Sequence, residues 1–239
     1  MRGGGAVNNH ARGAARDRLI CQFVEKGFFV STEQVHELFF RDVRHRQKSQ
    51  ERLRKLIKDG RLRRRKPGTT LSYVYYGIDR DWSQKWQHYV NLNWVVVSAE
   101  RQRRSWHQVK AFVTEYFIRI DDKRNLRADA LLVLENTVGK KLQPILVEMD
   151  MGTNEFDKVP RYTEAFKAGH WAREWWAKPV DGRVRFPRVL VVTVSDKRKE
   201  EVDRLIRQQN QVGLRFCTAT VDQVRKDFYG VISREVVTA

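Results

Sequence analysis

The chain has 239 residues, enough for one large or two small domains with a real core. With 41% hydrophobic and 11% aromatic residues it is too apolar for intrinsic disorder, yet its longest apolar runs, Ala130–Leu134 and Val189–Val192, fall far short of the ~20 residues a bilayer span needs. A net charge of +18 points to a polyanionic partner, with double-stranded DNA the first candidate, while two cysteines, Cys21 and Cys217, exclude a four-cysteine zinc site or a disulfide framework.

Together these features predict a cytoplasmic, nucleoid-associated bacterial protein with no membrane partner. The surplus charge is uneven. Residues 1–80 carry 19 Lys and Arg against 8 acids, and residues 81–239 carry 28 against 21. The basic first third is expected to be a nucleic-acid module, with a second domain doing different work.

Residues 1–15 are rich in Gly, Ala and Arg and lack the apolar segment of a secretory signal, so they are read as a flexible basic arm. Leu19, Ile20, Phe23 and Val24 follow at helical spacing, closed by Gly27. Ser31 and Gln34 form a capping-box pattern ahead of a second short helix carrying Val35, Leu38 and Phe39. A third helix is predicted from about Arg46 to Lys58, with Leu53, Leu56 and Ile57 as its apolar stripe and Gly60 as its stop. Beyond it the period becomes extended: Arg61–Lys66, a Pro67-Gly68 turn, then Leu71–Tyr76 returning.

Three helices and a basic hairpin predict a winged helix-turn-helix over residues 16–78, its third helix in the major groove and its hairpin along the backbone. Arg46, Lys48, Arg52 and Lys55 on the helix, with Arg61, Arg63, Arg64, Arg65 and Lys66 in the hairpin, are the expected DNA contacts. Phosphate contact would dominate their affinity. Residues 79–110 have helical density, with Trp82, Trp86, Tyr89, Val90 and Trp94 at spacings of three or four, and are read as a connecting helix with core aromatics.

From residue 111 strands prevail: Phe112–Ile120, Ala128–Glu135 and Pro144–Asp150, the last two joined through Gly139. A helical stretch to about Trp176, interrupted by Pro160, precedes a strand at Arg188–Ser195, a helix at Lys197–Gln209 and a strand at Leu214–Ala219. This order predicts an α/β domain over residues 111–230, followed by a tail over 231–239. His170, Trp171, Trp175 and Trp176 either stack on bases or pack at a helix end, and packing is the favoured reading.

Carboxylates stand in unusual places here. Asp129 interrupts an apolar strand, while Glu148 and Asp150 share one face at the end of another. If their strands are neighbours, the three converge and repel unless a cation sits among them. Mg2+ or Mn2+ suits such oxygen ligands, and a site of this kind can polarise a phosphodiester and activate water. The alternative is that Asp129 and Glu148 are neutralised by Arg127 or Lys158 in a scaffold without chemistry.

The segments Arg127-Ala128-Asp129-Ala130 and Val147-Glu148-Met149-Asp150-Met151-Gly152-Thr153, with Lys158 and Tyr162, resemble the replication-relaxation family of plasmid and mobile-element proteins. The resemblance spans about Arg16 to Phe228. It implies a fold of mixed α+β and α/β class, a winged helix-turn-helix followed by a restriction-endonuclease-like domain of the PD-(D/E)xK type. It further implies action in replication or relaxation of a mobile element, by nicking or cutting DNA. Asp129 then matches the first acid of the nuclease motif and Glu148 the second. Ala128 replaces the usual proline, and Asp150 replaces the usual lysine, for which Lys158 is the substitute. The catalytic set is thus Asp129, Glu148, Asp150 and Lys158. Two other readings stand beside this one: a non-catalytic winged-helix regulator of replication or transcription, and a transposon-end or repair endonuclease acting with other replication or transposition proteins.

Overall fold

A computed structural model of the protein describes residues 5–42, 46–179 and 184–236. Among them are seven α-helices and two sheets, a mixed α+β architecture. None of these helices is long and apolar enough to cross a membrane. The chain divides into two compact units at Asn93/Trp94.

The first unit contains α1 (Gly5–Gly27), β1 (Val30–Ser31), α2 (Thr32–Phe39), α3 (Gln47–Lys58), β2 (Leu62–Arg65), β3 (Val74–Gly77) and the start of α4 (Trp86–Arg101). α1 starts at Gly5, so the stretch read as a flexible arm is helical from that point, in keeping with the helix propensity of its Ala and Arg residues. The capping box is formed as its sequence predicts: Gln34 N donates to Ser31 Oγ at 3.2 Å, and Ser31 N donates to Gln34 Oε1 at 3.0 Å. Leu53 and Leu56 of α3 bury against Ile20, Val24 and Val35, fixing α3 on α1 and α2. Gly60 ends α3 with φ of 67°, a conformation costly for any residue with a Cβ.

β2 and β3 pair antiparallel, and β1 adds to the far side of β3. The returning strand starts at Val74 rather than Leu71, which makes the connection longer than a Pro-Gly turn. The expected 79–110 helix is also shorter. Trp82 lies before it, packed edge-on against Phe29 and Tyr76, and His107 already belongs to the next strand.

The second unit is built on a five-stranded sheet in the order β4 (His107–Arg119), β5 (Asn125–Asn136), β6 (Leu142–Asp150), β7 (Arg188–Thr193) and β8 (Phe216–Thr220). The first three strands form an antiparallel meander, whereas β6, β7 and β8 are parallel. Parallel neighbours need crossovers, supplied here by α5 (Lys158–Ala168) and α6 (Asp196–Gln209). Leu131, Val133, Leu146, Val189 and Val191 of the sheet bury against Val159, Tyr162, Val202 and Ile206 of those helices.

Pro160 does not interrupt its helix. It is the third residue of α5, where the missing N–H has no intrahelical partner to lose. α7 (Val221–Ser233) is an addition to the predicted elements. Its capping box, Thr220 with Gln223, has the same form as the one at Ser31.

Candidate functional site

The β5–β6 ladder ends at the pair Ala130↔Val147. Asp129 and Glu148 are the next residues outward on the two strands, so the end of pairing places them together. Met149 N donates to Asp129 Oδ2 at 2.8 Å, which ties Asp129 to the strand that carries Glu148. α5 closes the site from the other side. Lys158 and Tyr162 lie four residues apart and share a helix face. Lys158 Nζ stands 3.2 Å from Glu148 Oε2 and donates to Arg127 O at 3.1 Å; Tyr162 Oη donates to Glu148 Oε1 at 2.8 Å. Lys158 is also the first residue of α5, whose N-terminal end favours negative charge nearby.

Glu148 is only 2% exposed. Burial, then the charge of Asp129, push its carboxyl up to about 8, while Lys158 and Tyr162 pull in the opposite direction. Burial and the neighbouring Glu148 hold the Tyr162 hydroxyl well above the ordinary tyrosine value. The Glu148 carboxyl therefore favours its neutral form near pH 7.

Asp150 behaves differently from the expectation that three carboxylates converge. It accepts from Arg198 Nε at 2.7 Å and from Gly152 N at 2.8 Å. Arg198 also donates to Asn154 O at 2.5 Å and to Glu201 at 3.1 Å, so Asp150 and Arg198 together secure the loop after β6. A guanidinium offers a carboxylate several donors in a fixed fork, and that geometry has claimed Asp150. Among the described residues no group of three or more His, Cys, Asp and Glu side chains is arranged to hold a metal. The close group is Asp129, Glu148, Lys158 and Tyr162. The sequence marked Tyr162 only weakly and did not mark Arg198 at all, although both lie on amphipathic helices that follow the acidic strands.

In the first unit Lys48 and Lys55 of α3 are exposed, as are Arg61, Arg63, Arg64, Arg65 and Lys66 in and beside β2. Arg64 lies over the Tyr73 ring at 4.3 Å and Arg65 over Trp82 at 4.9 Å. Two of the expected contacts are otherwise engaged. Arg46, at the N-cap of α3, donates to Glu33 at 3.0 Å. Arg52 grips buried Asp17 of α1 through Nε and through Nη2, the latter at 2.6 Å. Arg52 is thus a brace between α1 and α3, because its apolar-side position on α3 turns it inward. Of the tryptophans after α5, Trp171 and Trp176 are buried, as the packing reading expects, whereas Trp175 is 47% exposed.

Comparison of the chain with family models, curated proteins and solved structures returns no match.

Proposed function

We propose that the protein binds double-stranded DNA through a winged helix-turn-helix and acts on it with a metal-dependent, restriction-endonuclease-like site that nicks or cuts. The observation that carries the reading is the placement of Lys158 Nζ 3.2 Å from Glu148, with Asp129 locked to the same strand end. That supplies two acids and a lysine at one point, the lysine arriving from α5 rather than from the position that Asp150 occupies. The order of an antiparallel meander, a crossover helix and parallel strands agrees with such a domain. The helices, the basic hairpin and the exposed bases of residues 46–66 support the DNA-binding half. The resemblance to the replication-relaxation family gives the setting, replication or relaxation of a mobile element.

On this reading Asp129 and Glu148 would take a hard divalent cation. Burial, and after it Asp129, raise the carboxyl of Glu148; a bound cation would relieve the repulsion between the two acids, and water with phosphate oxygens can complete a carboxylate donor set. Mg2+ or Mn2+, when bound, supplies Lewis-acid polarisation of the phosphodiester and acidifies water. Asp129 and Glu148 are the residues that would hold it. Tyr162 fixes one oxygen of Glu148. Lys158 presents an ammonium group beside the other, where it can orient a water or a phosphate oxygen.

A second reading is favoured by one observation. Lys158 and Tyr162 already satisfy Glu148, and Asp150 is committed to Arg198, so the same geometry would serve a non-catalytic regulator. Supercoiled plasmid incubated with the protein and Mg2+ or Mn2+ separates the two. Relaxed or linear product, abolished in Asp129→Ala and Glu148→Ala, supports the nuclease. Intact plasmid, with no metal-induced rise in thermal stability, leaves the regulator.

A further inference from the structure

A different site lies at the opposite end of the same sheet. β6, β7 and β8 are parallel, and the starts of β7 and β8 lie side by side: Ile145 pairs with Arg188, and Val189 with Phe216. Arg188 opens β7 and Arg215 immediately precedes β8, so the topology sets these two cations next to one another. Their neighbourhood is a cavity of about 280 Å³ lined also by Lys141, Lys178 and Arg185, with Leu142 and Pro144 contributing apolar wall.

Among the described residues that line the cavity there is no acid. Glu235 meets Arg188 from outside it, at 2.8 Å. Arg215 is partly withdrawn from water, and one of its N–H groups donates to Phe186 O at 2.9 Å. Burial, and after it the charge of Arg188, lower its guanidinium from the ordinary value, while Glu235 acts in the opposite direction. Like charges gathered in a concave, partly dry space focus a positive potential that attracts an anion.

We propose that this cavity binds a phosphate group borne by a nucleotide, either free or within a nucleic-acid strand. Guanidinium forks match phosphate oxygens in pairs, and Lys178 and Arg185 add charge at the rim. The apolar wall gives the sugar or base a surface that inorganic phosphate would not use. The site is independent of the carboxylates: Gln143 at the cavity and Glu148 are five residues apart on β6, ~16 Å at the usual strand rise.

Titration calorimetry on the full chain, in chelator-containing buffer, tests the proposal with three probes: pyrophosphate, ADP and a five-nucleotide single strand. Wild type is compared with the double variant Lys178→Ala/Arg185→Ala, whose side chains are exposed, and with Arg215→Gln. Each lost charge-assisted contact is expected to weaken binding about tenfold, so the double variant loses about a hundredfold. Loss of pyrophosphate and ADP binding in the variants assigns the cavity to a free nucleotide. Loss confined to the strand assigns it to nucleic acid, and both outcomes uphold a phosphate site. Absence of binding by all three probes, or binding equal in wild type and the double variant, overturns it. The double variant decides alone if Arg215→Gln does not fold.

Discussion

β6 carries opposite electrostatics at its two ends. At the end occupied by Glu148 and Asp150, each carboxylate has a dedicated cation: Lys158 for the first and Arg198 for the second. At the end near Gln143, cations gather around a cavity, and one of them, Arg188, meets Glu235. The difference lies in what the chain itself supplies. The acidic end is closed by helices that bring their own positive charge, and burial, then Asp129, still leaves a raised carboxyl on Glu148. At the cationic end the proposed phosphate would add the negative charge. A charged group in this protein is therefore to be read by its partner before its type.

The largest predicted effect breaks the acidic end by titration. Glu148 has a folded-state pKa of about 8, above its unfolded value. Between roughly pH 4.5 and 8 the folded state holds a proton that the unfolded state has released, so stability falls as pH rises through that window. The contribution is fully present below the unfolded value and is lost above about 8. In metal-free buffer the loss should be at most on the order of 5 kcal/mol, less where Lys158 can adjust. Glu148→Gln should flatten this part of the pH profile in urea melts and exceed wild type in stability above pH 8. A wild-type profile that stays level from pH 5 to 9 would contradict the raised carboxyl.

Arg198→Ala comes next. It leaves Asp150 without the guanidinium that the loop after β6 depends on, and removing one member of a largely buried pair costs about 3 kcal/mol. Chemical denaturation measures it, and the variant Arg198→Lys should recover only part, because an ammonium lacks the fork. Tyr162→Phe is smaller, about 1–2 kcal/mol, since it removes a single hydrogen bond to Glu148 while the ring stays packed against Phe186 and Phe216. A Tyr162→Phe protein as stable as wild type would mean that Lys158 alone satisfies the carboxyl.

The same comparison explains what the sequence makes visible. The buried strands β5 and β6 announce themselves as apolar runs, and Asp129 and Glu148 stand out because they interrupt such runs. The Ser31 cap is equally local. What the sequence hides is pairing over distance. Arg198 lies 48 residues from Asp150, and Arg52 lies 35 from Asp17, so neither arginine differs locally from the surface bases around it. β1 is too short to carry a pattern, and it exists because β3 offers it an edge. α7 is a different case: its Thr220–Gln223 box was legible, but the short apolar positions behind it were overshadowed by the basic residues between them.

The distinction between committed and available cations can also be tested within one helix. Arg52 and Lys55 both belong to α3, three residues apart. Arg52 braces α1 through Asp17, whereas Lys55 is exposed. Arg52→Ala should therefore cost about 2 kcal/mol of stability, because Asp17 is left buried without its partner. Lys55→Ala should change stability by less than about 0.5 kcal/mol. In duplex binding the order reverses. If α3 lies against phosphates, Lys55→Ala should lessen the log–log salt slope by about 1 and weaken every sequence alike. Arg52→Ala, measured at a temperature where the variant is still folded, should leave that slope unchanged. Fluorescence anisotropy across a salt series distinguishes the two. An equal loss of slope in both variants would show that Arg52 can leave Asp17 for a phosphate, and a loss in neither would move the DNA surface off α3 and onto the hairpin of Arg63, Arg64 and Arg65.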